Sequence, residues 1–305
     1  MKRSTGVYTP LLMSVAMVFW GLSFVAIKIA LRSYTPISVV SIRLFFVVII
    51  LGSVYAASSH RGKLPALKDL PLFLFIGFLN PFLAFLLECT SMVHLSASLA
   101  SVIMSTMPLF TPLAAFFILK ERARPFTLIG LLVSFAGICL IILAGDVESD
   151  YTVTGLILIF SAVASGVLYT VFAKKLLNRY SSLAVVTFQQ IFGCIFFIPV
   201  FLIREVPGVF SHDVFPTGSF LAILFLAVFP SSISYYLFND GIRKIGPTKA
   251  NAYTNLTPVV AAVASFFLLN EHLGLMKAAG IAIVITGLFL SQRYKKTVSG
   301  DIHVT

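Results

Sequence analysis

The sequence predicts an all-α membrane protein whose ten transmembrane helices fall into two inverted five-helix repeats. Three observations predict it: a composition that only a lipid solvent accommodates, ten apolar runs each long enough to cross a bilayer, and an internal repeat with an odd number of runs per unit. The chain has 305 residues, of which 59% are hydrophobic and 11% charged, and its mean hydropathy is +1.01. A soluble domain carries roughly 25% charged residues, and a water-facing surface cannot be built from so few. The formal net charge of +11 would suggest nucleic acid in a soluble chain. Here the basic residues lie between apolar runs, so the expected partner is the lipid bilayer and no nucleic acid is expected. Cys89, Cys139 and Cys194 sit far apart inside apolar runs, without His or Cys neighbours at ligand spacing. They read as packing residues, and no disulfide framework, metal site or cofactor is expected.

The runs cover roughly 10–30, 36–57, 70–91, 96–119, 125–145, 152–173, 182–203, 218–239, 247–269 and 274–293. Each approaches the roughly 20 residues a helix needs to span a bilayer. Barrel strands would instead alternate in segments of about ten residues. The first run is too long for a signal-peptide core and ends without an A-x-A-like site, so it reads as a spanning helix. Turn chemistry breaks the runs at Tyr34-Thr35-Pro36, Gly62-Lys63-Leu64-Pro65, Arg124-Pro125 and Gly246-Pro247. With the N-terminus inside, 17 of the 22 basic residues fall in inner segments, among them Arg61, Arg122, Lys174 and Lys244. Three fall outside (Arg32, Arg204 and Lys277), and Lys28 and Arg43 lie within spans. The positive-inside rule then places both termini in the cytoplasm and the Asp146–Asp150 loop outside.

A shift of 150 residues lays Leu74-Phe75 over Leu224-Phe225, Ala100 over Ala250 and Pro108 over Pro258. It also lays Phe116-Phe117 over Phe266-Phe267, Leu119-x-Glu121 over Leu269-x-Glu271, and Gly130 and Gly137 over Gly280 and Gly287. Five spans per unit force the second unit into the membrane upside down. The expected boundaries are 1–146 for the first repeat, 151–296 for the second and 297–305 for a cytoplasmic tail. Inverted repeats are a hallmark of secondary transporters, which hold substrate near the midplane between the halves. A duplication retained only for packing is the alternative.

The first span reads Phe19-Trp20-Gly21-Leu22-Ser23-Phe24 with Lys28 following, and the second has Pro36 and then Arg43. Each half closes on an alanine- and serine-rich span, a mid-span proline, a glutamate and a glycine-spaced helix. In these features the chain resembles the drug/metabolite transporter superfamily, EamA type, over essentially its whole length. The resemblance implies two five-helix repeats around a central cavity. It also implies export or exchange of amino acids, purines, drugs or similar small solutes, in a cell (inner) membrane. Where a Trp like Trp20 often recurs in the second half, this chain has Ser165 before Gly166, so the halves differ there.

Charge inside a span is costly and marks function by default. Lys28, Arg43 and Glu88 all fall in the outer third of the membrane on this topology. Lys28 and Glu88 lie near helix ends, where snorkelling or a helix-terminal role is the alternative. Arg43 is seven residues in, roughly 10 Å at 1.5 Å per residue, too deep to reach the headgroups easily. Glu88 pairs with Arg43 or Lys28, or the surplus positive charge holds a substrate carboxylate, or Glu88 carries a proton. Coupling to protons or to a counter-solute stays open. Ser101, Ser105 and Pro108 share one helical face at i, i+4, i+7, and Asn251, Asn255 and Pro258 share the related face. Such stripes line a midplane cavity or bond helices together. Trp20, Phe24, Tyr169 and Tyr235 are candidate aromatic walls for an amphipathic small-molecule substrate. Asn80-Pro81 and Pro230 are candidate hinges, with Asn80 a further binding candidate, and Glu121 and Glu271 are expected to satisfy the start of the following helix.

The rival readings are a membrane-embedded enzyme and a non-transporting scaffold. The chain has no H-E-x-x-H, no G-x-S-x-G and no Walker motif, and its five His residues fall in expected loops, turns or the tail.

Overall fold

A computed structural model describes residues 5–59, 62–120, 125–143, 152–205, 216–270 and 274–292. Every regular element among them is helical. In chain order these are α1 (Thr5–Ala30), α2 (Pro36–Ala57), α3 (Leu67–His94) and α4 (Ala97–Leu119), and α5 (Pro125–Leu143). There follow α6 (Val153–Leu177), α7 (Ser182–Arg204), α8 (Thr217–Ile245) and α9 (Pro247–Leu269), and α10 (Leu275–Gln292). Among the described residues, eight of them, α1 to α4 and α6 to α9, are long and apolar enough to cross a membrane. Several outrun the apolar stretches read from the sequence. The end of α6 carries Lys174 and Lys175, and the end of α8 carries Arg243 and Lys244. These turns add helical length without adding hydropathy.

Hydroxyl caps start several helices. Thr35 accepts from the Ser38 N–H, Ser96 from Leu99, Thr152 from Gly155 and Ser181 from Ala184. Each satisfies one of the donors that a helix N-terminus leaves without an internal partner. Many large apolar side chains face outward: Phe117 and Phe267 are both 73% exposed. In water such a surface would aggregate; in lipid it is the solvated face.

Several structural devices recur at the repeat spacing. α3 and α8 each break at their centre, over Phe78–Leu83 and Ala227–Ser234, where wide π-type turns surround Pro81 and Pro230. Proline removes an N–H donor and crowds the preceding turn, and Asn80 leaves the helix altogether at φ −151°, ψ 118°. α4 and α9 both loosen just before a proline, at Ser105–Thr106 and at Tyr253–Leu256. Both end on a left-handed residue, Lys120 at φ 60° and Asn270 at φ 58°. Glu121 and Glu271 follow those caps and lie outside the described residues, as do His60, His212, His272, His303 and the Asp146–Asp150 loop.

α5 packs lengthwise on α10. A Cβ on Gly287 would meet the Ser134 backbone nitrogen at 2.4 Å, and one on Gly137 the Gly280 carbonyl oxygen at 2.7 Å, so only glycine permits this approach. The Ser134 hydroxyl donates to Val284 O at 3.1 Å across the same seam. The other helices surround one continuous core in which α2 lies on α7, α3 on α6 and α1 on α9.

Both ends of this bundle are tied by polar groups. At the basic end the Asp69 carboxylate accepts from Arg179 at 2.7 Å and from the Tyr180 hydroxyl at 2.8 Å. Lys174 donates there to the last carbonyls of α8, Ile242 and Arg243, at 3.2 and 3.0 Å. At the opposite end Glu205 accepts from Thr35 at 2.5 Å and from Ser38 at 2.7 Å. The Ser219 hydroxyl lies 2.9 Å from Ile29 O and 3.0 Å from the Ser33 hydroxyl at that same end.

Candidate functional site

A narrow cavity lies between the breaks of α3 and α8 and the middles of α1, α4 and α6. Aromatic rings from α1, α3, α6 and α8 stand in its wall. Trp20 packs on Tyr235 and Phe238 with ring centroids 5.1 and 4.8 Å apart. Phe85 lies 5.7 Å and Tyr169 6.2 Å from Tyr235. Phe24 and Phe238 also line it.

Two ionisable side chains, one basic and one acidic, face this space. Arg43, from α2, is 4% exposed. Its Nε donates to the Ser231 hydroxyl in the break of α8, and its guanidinium carbon lies 3.9 Å from the Phe85 ring centroid. Both contacts lower the cost of holding the cation out of water. Glu88, from α3, lines the same cavity and is half-buried. The two form no ion pair among the described residues. Asn80, at the break of α3, is the third polar group. Its side chain lies beside the Tyr235 hydroxyl, and its Oδ1 is buried without a partner.

Below the rings a hydrogen-bonded cluster closes the side nearer the basic end. The Tyr169 hydroxyl donates to Gln189 Oε1 at 2.8 Å, and Asn239 Nδ2 donates to the Tyr169 hydroxyl at 2.8 Å. Asn239 also donates to Tyr235 O at 2.9 Å.

Of the twelve residues singled out from the sequence, Trp20, Phe24, Arg43, Asn80, Glu88, Ser105, Tyr169 and Tyr235 line the cavity. Lys28, Ser101, Asn251 and Asn255 are not on its wall. Ser101 turns its hydroxyl back to Ser98 O at 2.7 Å, as serines inside helices often do. Asn251 donates to the Thr111 hydroxyl at 2.6 Å and thereby joins α9 to α4. Asn255 is buried with its Oδ1 unpartnered. Even Ser105, on the wall, bonds to Ser101 O at 2.8 Å and approaches Thr254 O at 3.4 Å. The polar stripe is therefore split between lining and helix association.

Sequence reasoning singled out none of Phe85, Gln189, Ser231, Phe238 and Asn239 for the site. Gln189-Gln190 within an otherwise apolar span was an available signal. Phe85 and Phe238 carried none, because most of the 30 phenylalanines face lipid or core.

Comparison with known proteins gives the family. The profile of the EamA-like transporter family matches the chain twice, over residues 8–143 and 153–292. An uncharacterized transporter of Archaeoglobus fulgidus is 29% identical over 286 residues, covering 93% of this chain and 98% of its own length. A probable terminal-alkyne amino-acid exporter of Streptantibioticus cattleyicolor is 28% identical over 293 residues, covering 96% and 95%. A solved crystal structure superposes with a TM-score of 0.72 at 16% identity, over 93% of this chain and 96% of that one, a likeness of fold. With the family profile matching nearly the whole helical body, the chain belongs to the EamA-like transporter family and is an integral membrane transporter.

Proposed function

We propose that this chain is a secondary transporter of small zwitterionic metabolites, amino acids above all, working by alternating access as an exporter or exchanger and catalysing no reaction. The carrying observation is that Arg43 and Glu88 face one aromatic cavity without joining each other. A guanidinium suits a carboxylate, a carboxylate suits an ammonium, and ring faces suit an apolar side chain. A zwitterion supplies both missing counter-charges at once, so the site discharges neither group into lipid. The name of the Streptantibioticus relative agrees with an amino-acid cargo. Binding falls to the eight cavity-lining candidates, and Asn251 acts in helix association.

The architecture that goes with this reading has ten spans, with α5 and α10 included, in two inverted repeats over 1–146 and 151–296. The double family match and the paired breaks and left-handed caps support it. Both termini are then cytoplasmic, and the basic end is the inner one.

Counterflow into proteoliposomes tests the function. Vesicles loaded with unlabelled L-leucine are expected to accumulate labelled L-leucine, and L-leucine methyl ester and N-acetyl-L-leucine are expected to compete poorly. Equal competition by ester, N-acetyl derivative and parent amino acid would refute the zwitterion reading.

A further inference from the structure

The two proline breaks are each held by a side chain from the other half of the chain. The Trp20 indole N–H, on α1, donates to Pro230 O in α8 at 3.0 Å. The Ser165 hydroxyl, on α6, donates to Leu79 O in α3 at 2.7 Å. The two donors occupy corresponding places. Each sits mid-way along the first helix of its half and immediately precedes a glycine, Gly21 or Gly166. Both glycines are sites of close approach. A Cβ on Gly21 would meet Val260 Cβ at 2.5 Å, and one on Gly166 would meet Met107 Cε at 2.6 Å. α1 thus lies close on α9 and reaches α8, while α6 lies close on α4 and reaches α3. The acceptors correspond too, because each carbonyl belongs to the residue just before one that delivers a polar side chain to the cavity region. After Pro230 comes Ser231, which holds Arg43; after Leu79 comes Asn80, whose Oδ1 has no protein partner.

We propose that Ser165 is a positioning residue: its bond to Leu79 O holds the break of α3 so that Asn80 presents its side-chain carbonyl to the cavity as an acceptor for the substrate's ammonium group. Trp20 does the corresponding work for Ser231 and Arg43. The two donors differ in what else they do. Trp20 also forms cavity wall, whereas Ser165 only reaches the break and leaves the adjoining wall to Gly166 and Tyr169. A tryptophan is therefore not needed at position 165 for the tie to exist; a hydroxyl of the right reach suffices. Asn80, outside helical φ/ψ, has no helical ladder to fix its backbone direction, so the bond to the preceding carbonyl restrains the backbone that aims its side chain past the Tyr235 hydroxyl.

The ammonium role rests on the zwitterion reading, and the positioning role is tested without any substrate. With Cys89, Cys139 and Cys194 replaced by alanine, Asn80→Cys and Phe24→Cys are each labelled with a small methanethiosulfonate in proteoliposomes. Adding Ser165→Ala is expected to change the labelling rate at position 80 by about fivefold, the equilibrium factor of one hydrogen bond, and to leave position 24 unchanged. Ser165→Thr, which keeps the hydroxyl, is expected to restore the rate and also serves if the alanine variant does not fold. An unchanged rate at position 80, or equal changes at both positions, would overturn the proposal. In the otherwise native chain, Ser165→Ala is expected to raise the apparent Kd for L-leucine and to have no further effect once Asn80→Ala is present. Additive losses would overturn the link to Asn80. Failure of L-leucine to bind the unmodified protein would fall on the substrate reading alone, and the labelling result would still decide the positioning.

Discussion

Replacing Arg43 with glutamine removes the cation of the cavity while leaving an amide able to reach Ser231. Arg43 is 4% exposed, bonded to Ser231 and stacked 3.9 Å from the Phe85 centroid. It is therefore held in place before any ligand arrives, and little of a carboxylate's binding energy is spent on ordering it. Truncating one partner of a buried, hydrogen-bonded charge pair costs roughly 2–5 kcal/mol. Taking about 3 kcal/mol, the Kd for L-leucine should rise on the order of a hundredfold. Arg43→Lys keeps the charge and loses the planar fork, so it should recover only a small part of the loss. The assay is equilibrium binding of L-leucine and L-leucinamide to detergent-purified protein, with thermal melting as the folding control. Wild type should prefer the acid to the amide, and Arg43→Gln should bind both equally. Because Arg43 and Glu88 form no direct ion pair, adding Glu88→Gln should not repair Arg43→Gln. Repair by the double substitution would mean that the two charges chiefly compensate each other. Retention of the wild-type Kd and of the acid preference in Arg43→Gln would refute the clamp outright.

Glu88→Gln is the mirror experiment: affinity for L-leucine should fall, whereas affinity for N-acetyl-L-leucine should hardly change, and equal losses for both would argue against an ammonium site. Gly193→Val should lower the thermal midpoint, since a Cβ there lies 2.3 Å from Pro81 Cγ; overpacking of this kind costs roughly 1–3 kcal/mol, and an unchanged melting curve would show that the α3–α7 seam yields. Lys174→Cys in intact cells should be protected from an impermeant thiol reagent and become reactive after permeabilisation; strong labelling without permeabilisation would overturn the inverted topology.

Much of the fold was legible because the bilayer imposes a simple rule on sequence. A spanning segment must satisfy its own backbone and shed charge, so helix positions could be read from hydropathy and turn residues alone, and Pro36, Pro125 and Pro247 begin α2, α5 and α9 where the turn chemistry placed them. The burial of Arg43 and the breaks at Pro81 and Pro230 were legible for the same reason: charge and proline inside a span are conspicuous. The site was legible only in part. Helical spacing puts Ser101 and Ser105, or Asn251 and Asn255, on one face, but it does not say what stands opposite. Thr111 stands opposite Asn251 and turns it into a helix tie.

What the sequence by itself determined was the solvent, the order of the helices, the repeat and the few charges that lipid could not dissolve. What only the tertiary structure decided was which polar groups meet. Arg43 and Ser231 are 188 residues apart and Ser165 and Leu79 are 86 apart, yet each pair is joined by one hydrogen bond. The physical reason is that hydropathy and helical period are local properties of a segment, whereas a hydrogen bond between halves depends on how closely two helices approach. That approach was set by glycines such as Gly21 and Gly166, whose importance lies in the space they leave rather than in any chemistry a sequence displays.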